Sequence, residues 1–467
     1  CATTNSQRAG VTAVPCPTDA LRLNRPRGPP VCMGKKREEK AKDEEDKPLP
    51  PAKSIFEVKE ASGSARCGEL LGRATPCFTQ LTSRGVPLCL RPEVLQSMME
   101  AHPFLYQLPV CDLLLRQEGV SQCPDASSGC RGFWPHLKPL TYCSFRNPRH
   151  NPSIFGGDAV CSVETAGGRR KVGAKELLQI QKVMRVDLLA APGEEVTLDI
   201  TAPRRGQRAV ARAAEWLKEI LEAKAAGDDL GFEWHVLASI QGGADVKLRQ
   251  KAAEGAAAMP VAGYWIGGLG YSEPLPQRAE VLQACVAALP EARPRFLPLN
   301  RGTPIEVLQA VLLGVDVLEV TYLWEVASSG IALTFDWEMP GSEEGADLEV
   351  LKSLQPQSEK DPPPAVRQLW LRAPECREDF GPISETSPVR QYSRAYLYHL
   401  HEVHELLGTM LLAQHNLHVY LNFFEAIRSH IRQDTLQRFA AWFLRTQTCA
   451  APEKDHQTVR PAKRQKM

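Results

Sequence analysis

Two groups of residues in this 467-residue chain carry side chains that could do chemistry. The first lies toward the carboxyl end. Ser393-Arg394-Ala395-Tyr396 opens a stretch that contains His399, His401, His404 and Glu405, and His415-Asn416 follows. Such a density of imidazoles, with Cys376 upstream, raises the question of a metal. A structural zinc takes four soft or borderline ligands in a tetrahedron. His401 and Glu405 are four apart, one face of a helix. The run is not His-Glu-x-x-His, because the second histidine comes one residue too early. The second group sits where short apolar runs end. One run ends Ser239-Ile240-Gln241-Gly242-Gly243. Another ends Ile266-Gly267-Gly268-Leu269-Gly270-Tyr271-Ser272-Glu273. A third ends Leu299-Asn300-Arg301-Gly302, and the last Asp316-Val317-Leu318-Glu319. Glycine lets a backbone approach a ligand closely, and the Gln241 amide offers a donor and an acceptor to a planar base. Glycine after a strand is also ordinary turn chemistry.

The elements that must position these residues are legible from about residue 172. Helices are expected at Lys175–Val183, Gln207–Ala225, Asp245–Ala257, Pro276–Ala288 and Pro304–Leu312. Strands are expected at Val186–Ala191, Trp234–Gln241, Val261–Ile266, Pro294–Leu299 and Val315–Val320. This alternation argues for a parallel sheet wound with helices, part of a TIM barrel or a doubly wound sheet. In such folds chemistry gathers at the carboxyl ends of the strands. Residues 55–160 show short apolar runs broken by Gly, Pro and Ser, which read as strands and loops with one helix near Pro92–Met99.

Residues 1–54 read as a disordered tail, breaker-rich at first and then a mixed-charge run that cannot bury enough apolar surface to fold. The barrel part is expected over 55–337, a flexible insertion over 338–377, and a helical remainder over 378–446 in at least two segments. In that remainder Tyr396, Leu400, Leu407 and Leu411 are assigned to the buried side. A basic tail closes the chain at 447–467. The chain begins at Cys1 and not Met, so its amino-terminal end is expected to be incomplete or wrongly delimited.

Composition excludes little. The net charge is +1, from 56 basic and 55 acidic residues, so nucleic-acid binding must come from local patches. Arg204, Arg205, Arg208 and Arg212 form one candidate patch, and Arg428, Arg432, Arg438 and Arg445 another, although a solvated helix face is the favoured reading of either. The 14 cysteines are scattered without Cys-x-x-Cys, as in a protein with buried thiols and no disulfide framework. A signal peptide and an apolar run of 18 residues are both absent, so a secreted or membrane-spanning protein is not expected.

In this order and spacing, the pieces resemble the tRNA-guanine (queuine tRNA) ribosyltransferases. The resemblance runs from about Thr141 to Leu444, and more weakly back to Cys67. Ile240-Gln241-x-Gly243 is similar to that family's Ile-Gln-Gln-Gly. Gly267-Gly268-Leu269 with Glu273 is similar to its Gly-Gly-Leu-Ala-Val-Gly-Glu, and Gly314–Glu319 to its Gly-Val/Ile-Asp-Met-Phe-Asp. Arg394-Ala395-Tyr396 and His415-Asn416 resemble its zinc-binding end.

The resemblance implies an α/β fold, a TIM (β/α)8-type barrel with a helical carboxyl-terminal extension. It implies exchange of a guanine in a tRNA anticodon for a 7-deazaguanine base, through an aspartate that attacks the ribose. It assigns Gln241, Gly267 and Gly268 to substrate binding, and a zinc to a Cys-x-Cys-x-x-Cys cluster plus His415. Several positions depart from that pattern. The nucleophile position carries Glu319, and the position of a base-binding aspartate carries Gly193. The Ser-Gly-Gly-Phe/Tyr-Gln loop is absent around Cys77–Leu90. The three cysteine positions are Ser384, Thr386 and Val389, so only His415 of the zinc set is retained.

Glutamate at the nucleophile position suits the family's non-catalytic branch, whose members pair with a homologous catalytic subunit. The expected partners are therefore that catalytic subunit, through the 393–444 helices, and tRNA. The expected place is the cytoplasm, including the periphery of the mitochondrial outer membrane. The alternatives are an active base-exchange glycosyltransferase using Glu319, and a barrel retained as an interaction protein.

Overall fold

The computed structural model describes residues 49–449 apart from 102–104, 124, 134–138, 148–154, 157–160, 201, 227–230, 300 and 342–364. Residues 1–48 of the tail read at 1–54, residues 450–467 of the basic tail read at 447–467, and Asn300 lie outside these residues. Eight parallel strands form a ring: β1 (Cys77–Ser83), β2 (Leu105–Pro109), β3 (Leu140–Ser144), β4 (Leu188–Ala190), β5 (His235–Ile240), β6 (Gly263–Ile266), β7 (Arg295–Pro298) and β8 (Val317–Glu319). Each pairs with the next, and β8 returns to β1 with Val317 opposite Cys77 and Glu319 opposite Thr79. That closure excludes the doubly wound sheet and gives the TIM-type barrel.

The helices between strands are α1 (Pro92–Ala101), α2 (Ala174–Met184), α3 (Pro203–Ala225), α4 (Val246–Ala257), α5 (Leu275–Ala287) and α6 (Pro304–Leu312). Their starts have local causes. Pro203 and Pro304 sit in the first turns of α3 and α6, where a missing N–H costs nothing. Asp245 caps α4 by accepting from Leu248 N at 3.0 Å. Thr303 and Glu306 form a reciprocal capping box on α6.

Alternation along each strand decides what faces the barrel axis. Leu105, Leu140, Tyr142, Leu188, Leu237, Trp265, Phe296 and Val317 pack together inside. Leu318, between Val317 and Glu319, packs with the outer helices. The amino-terminal mouth is plugged by a three-stranded antiparallel sheet, Phe56–Ser62, Ala65–Leu70 and Arg73–Thr75, whose Phe56 and Leu70 join the interior cluster together with the preceding Ile55. The expected tail boundary therefore moves, since Ala52 and Lys53 already accept backbone-directed hydrogen bonds from Arg293.

Arg66 fastens the plug to the ring. Its guanidinium donates to both oxygens of Asp316, at 2.8 and 2.7 Å, and to the carbonyls of Glu291 and Arg293. Asp316 also accepts from Arg295 N at 2.7 Å. Both side chains are buried. Burial pushes the Asp316 carboxyl above its ordinary pKa, against the opposing pull of Arg66.

After β8 come α7 (Tyr322–Ser328), α8 (Arg394–Glu402), α9 (Leu406–Arg432) and α10 (Leu436–Thr446). The helical remainder thus has three segments beyond Ser393. Within the expected insertion, residues 365–377 carry strands. Gln368–Trp370 pairs with Ile331–Leu333, and Ala365–Val366 pairs with Thr448–Cys449. The burial expected for this region needs correction at two positions. Leu400 and Leu411 are buried, but Tyr396 and Leu407 are 39% and 40% exposed. One helical period was run through from Tyr396 to Leu411, whereas the chain turns between α8 and α9. His404 takes φ 58°, and Glu405 N bonds to Leu400 O at 2.9 Å. This left-handed helix end resets the phase. It also parts His401, which is buried, from Glu405, which is exposed.

Arg66→Ala leaves the Asp316 carboxylate buried without its cation. The expected loss is about 3–5 kcal/mol of unfolding free energy, read as a lower midpoint in urea at unchanged slope.

Candidate functional site

Residues of β1, β2, β3, β6 and β8 bring a polar layer to the barrel axis. Glu319 occupies its centre, two residues beyond the inward Val317 on the same face. Gln107 of β2 donates Nε2–H to Glu319 Oε2 at 2.6 Å. Tyr142 O–H of β3 and Trp265 Nε1–H of β6 both donate to Oε1, each at 2.8 Å. The Gln107 amide is oriented in turn by Thr79 Oγ1 of β1, which donates to its Oε1 at 2.9 Å. Glu319 is 1% exposed. Burial raises its carboxyl pKa, while Trp265, Arg146, Tyr142 and Gln107 oppose the shift. Three donors and no acceptor against this carboxylate form a finished hydrogen-bond hub.

Around this hub the loops at the strand ends are laced by arginines. Arg146, two residues after β3, donates to the carbonyls of Leu269 and Gly270 at 2.6 and 2.7 Å. Its guanidinium lies 4.2 Å from the Tyr271 ring centroid and 3.4 Å from Glu195 Oε2. Glu195 in turn accepts from Gly268 N at 2.9 Å. Arg249 reaches back from α4 to the carbonyls of Gly243 at 2.9 Å and Gly267 at 2.6 Å. Arg278 of α5 joins Glu273 to Glu306. Burial alone would raise the Glu273 pKa; Arg278 and the N–H groups of Gly270 and Tyr271 outweigh it and hold it low.

Gln241, Gly267 and Gly268 are brought together, as their sequence positions required. The Gln241 side chain is fully buried and donates to Ser239 Oγ at 2.9 Å. Space around it is taken by the chain itself. A Cβ on Gly193 would lie 2.3 Å from Ser239 Oγ and 2.6 Å from Gln241 Nε2. A Cβ on Gly267 would lie 2.3 Å from Gln241 Nε2 and 2.4 Å from Trp265. A Cβ on Gly242 would meet the Arg249 methylenes at 3.0 Å. An aspartate at position 193 would require Ser239 and Gln241 to shift from this arrangement.

His415 lies at the other candidate centre. Its Nε2 is 2.9 Å from Leu333 O, and its Nδ1 is 2.9 Å from Ser387 Oγ. A carbonyl can only accept, so Nε2 carries the proton and the Ser387 hydroxyl donates to Nδ1. Burial depresses the His415 pKa to about 4, and His401 likewise. Ser384 and Thr386 hydroxyls lie 3.3 Å from each other, and Val389 is buried among apolar neighbours. Cys376 is buried, with its thiol toward Trp370 O. Among the described residues no three His, Cys, Asp or Glu side chains are grouped to hold a metal. His415 and Asn416 instead bind the Ile331–Leu333 strand: Asn416 Oδ1 accepts from Leu333 N at 2.9 Å and Nδ2 donates to Ile331 O at 3.0 Å.

Sequence reading did not single out Gln107, Tyr142, Trp265, Arg146 or Arg249. The usable signal was Gln107 inside the apolar run Leu105–Leu108, because a polar residue on a buried strand needs a partner. Of the arginines in the first candidate patch, Arg205 and Arg212 pair with Glu194, while Arg204 and Arg208 are exposed. Arg428 and Arg432 pair with Glu425.

Comparison with known proteins agrees with this frame. The family described as queuine tRNA-ribosyltransferase matches residues 62–448. The chain is 29% identical over 378 residues to the queuine tRNA-ribosyltransferase accessory subunit 2 of Xenopus tropicalis, covering 77% of this chain and 89% of the relative. It is 29% identical over 334 residues to the protein of that name from Gallus gallus, covering 67% and 78%. For the Homo sapiens protein of that name the figures are 27% over 353 residues, 72% and 84%.

Two predictions follow from the buried acid and the buried imidazoles. Glu319→Gln sets an amide N–H2 against the N–H groups of Gln107 or Trp265 and removes the charge those donors serve, and is expected to lower stability by about 1–3 kcal/mol, read by chemical denaturation. For the histidines, the folded pKa of about 4 lies below the ordinary 6.5. The unfolded chain therefore binds protons that the folded chain refuses between those values. Stability should fall as pH drops from about 6.5 toward 4, and His415→Gln should flatten part of that slope in pH-resolved denaturation.

Proposed function

This chain belongs to the queuine tRNA-ribosyltransferase family, and on that premise we propose that it is a non-catalytic subunit. It pairs with a catalytic ribosyltransferase and supports the exchange of guanine for queuine at the wobble position of tRNA. The observation that carries this reading is the Glu319 hub. A nucleophile needs an exposed lone pair aimed at the ribose carbon. Glu319 is sealed in the barrel by Gln107, Tyr142 and Trp265, and position 193 carries a glycine against which Gln241 packs. The similarity to proteins named accessory subunits supports the same reading.

The partner face is the corner formed by α8 and the start of α9. Among the described residues, five of the seven exposed large apolar side chains fall there: Phe380, Tyr396, Val403, Leu406 and Leu407. Phe380 is 79% and Leu406 65% exposed. Apolar side chains concentrated in this way mark an interaction surface. Arg204 and Arg208 at the start of α3 are exposed and are the groups proposed to meet tRNA phosphates. No helix among the described residues is long and apolar enough to cross a membrane, and the cytoplasm is the proposed place of action.

The test is reconstitution with the catalytic subunit, followed by exchange of labelled guanine into tRNA. The natural chain alone should show no exchange, and the pair should be active. Leu406→Asp with Val403→Asp should abolish co-purification at an unchanged thermal midpoint of the isolated chain. Exchange by the isolated natural chain would replace this proposal with a glycosyltransferase using Glu319.

A further inference from the structure

The zinc-binding end offers an inference of its own. The resemblance implies a zinc here, held by three cysteines and a histidine. The residues present do not fit that ion. Thr386 is exposed, Ser384 is half-buried against it, and Val389 packs into the core. The one retained ligand, His415, has both nitrogens engaged. Its Nε2–H goes to Leu333 O, and its Nδ1 lone pair receives the Ser387 hydroxyl proton. A metal bound at Nδ1 would need that same lone pair.

We propose that the Ser387–His415–Leu333 hydrogen-bond relay does the fastening that zinc does in the family, so that this corner is locked without a metal. The relay joins the two pieces that carry the family's ligand positions, the loop before α8 and α9, and adds the strand of Leu333. Ser387 lies in the loop before α8, His415 in the middle of α9, and Leu333 in the strand after α7. The loop end is fixed at more than one point. Ser387 Oγ also accepts from Val389 N at 3.2 Å, and Ser387 N bonds to Ser384 O at 3.2 Å. Ser387 is 2% exposed, so no water competes for its hydroxyl. The rest of the loop is held from α8. Arg394 donates to Asp379 Oδ2 at 2.8 Å and to Pro382 O at 2.9 Å, and Ala395 N donates to Asp379 O at 2.7 Å.

The experiment uses the isolated full chain and does not depend on pairing or on activity. Elemental analysis of the purified protein should give far less than one zinc per chain, and EDTA should leave the thermal midpoint unchanged. Ser387→Ala should lower that midpoint by about 2 °C and speed amide exchange in segments 384–389 and 331–333. Ser387→Thr keeps a hydroxyl and should preserve both. One zinc per chain, a midpoint lowered by EDTA, or a Ser387→Ala protein indistinguishable from the natural one in midpoint and exchange would overturn the proposal.

Discussion

A carboxylate sealed inside a closed barrel constrains nearly everything around it. Removing an ion from water costs several kcal/mol even after relaxation, and only hydrogen bonds or a counter-charge can offset that cost. Glu319 receives its donors from β2, β3 and β6, that is, from strands distributed around the ring. The strands must therefore keep register with one another as well as with their neighbours. A slip of one residue in β8 would turn Glu319 out and bring Leu318 in. Tyr142, Trp265 and Phe296 fill the same interior below the acid, so a slip would also empty that layer. Register, packing and polar satisfaction are coupled through a single side chain.

The mouth of the barrel obeys a related rule. Loops that leave strands expose carbonyls that no ladder pairs, and buried carbonyls must find donors. Arg146 and Arg249 supply them, since a guanidinium carries five donors in a rigid fork. The glycines at 242 and 268 follow from this lacing, and those at 193 and 267 from the packing of Gln241, Ser239 and Trp265. They are positions where the chain approaches itself, with side-chain or backbone atoms already where a Cβ would stand. A glycine-rich strand end is equally the mark of a ligand drawn close or of the chain's own side chain drawn close. The neighbouring long side chain, here Arg249 on α4, decides which.

Sequence patterning made the second part of the barrel readable because helix and strand periods alternate cleanly there, each helix opened by a proline, an aspartate or a capping box. The first three strands were harder. Between β1 and α2 the connections are irregular, and β1 carries Thr79 and Gln80 within its buried run, which blurs any binary pattern. Donors to Glu319 were not legible, because Gln107, Tyr142 and Trp265 lie far from it in sequence and meet it only through ring closure. The exposure of Tyr396 and Leu407 was misread because a left-handed residue at His404 shifts the helical phase. Each miss is a tertiary or turn effect overriding a local period.

The two altered centres share a physical logic. At each, a position that the sequence resemblance assigns to reactive or metal-binding chemistry ends in ordinary hydrogen bonds, and the surrounding frame must carry the load. This matters most at the carboxyl-terminal corner. A structural zinc can contribute on the order of 10 kcal/mol to folding, and one neutral hydrogen bond contributes only about 1 kcal/mol. The Ser387–His415 contact therefore cannot replace a metal by strength. It replaces a metal by position, and the balance must come from packing. Val389, Ile383, Cys376 and Leu397 lie in the continuous core with Leu412 and Leu417 of α9. The buried Val389 contributes by leaving water, about 2 kcal/mol for a fully buried side chain of this kind. Arg394 and Asp379 then fix the loop that the core alone would leave free to slide. Distributed packing can hold the same geometry as a single metal, provided one polar contact, here between Ser387 and His415, sets the register.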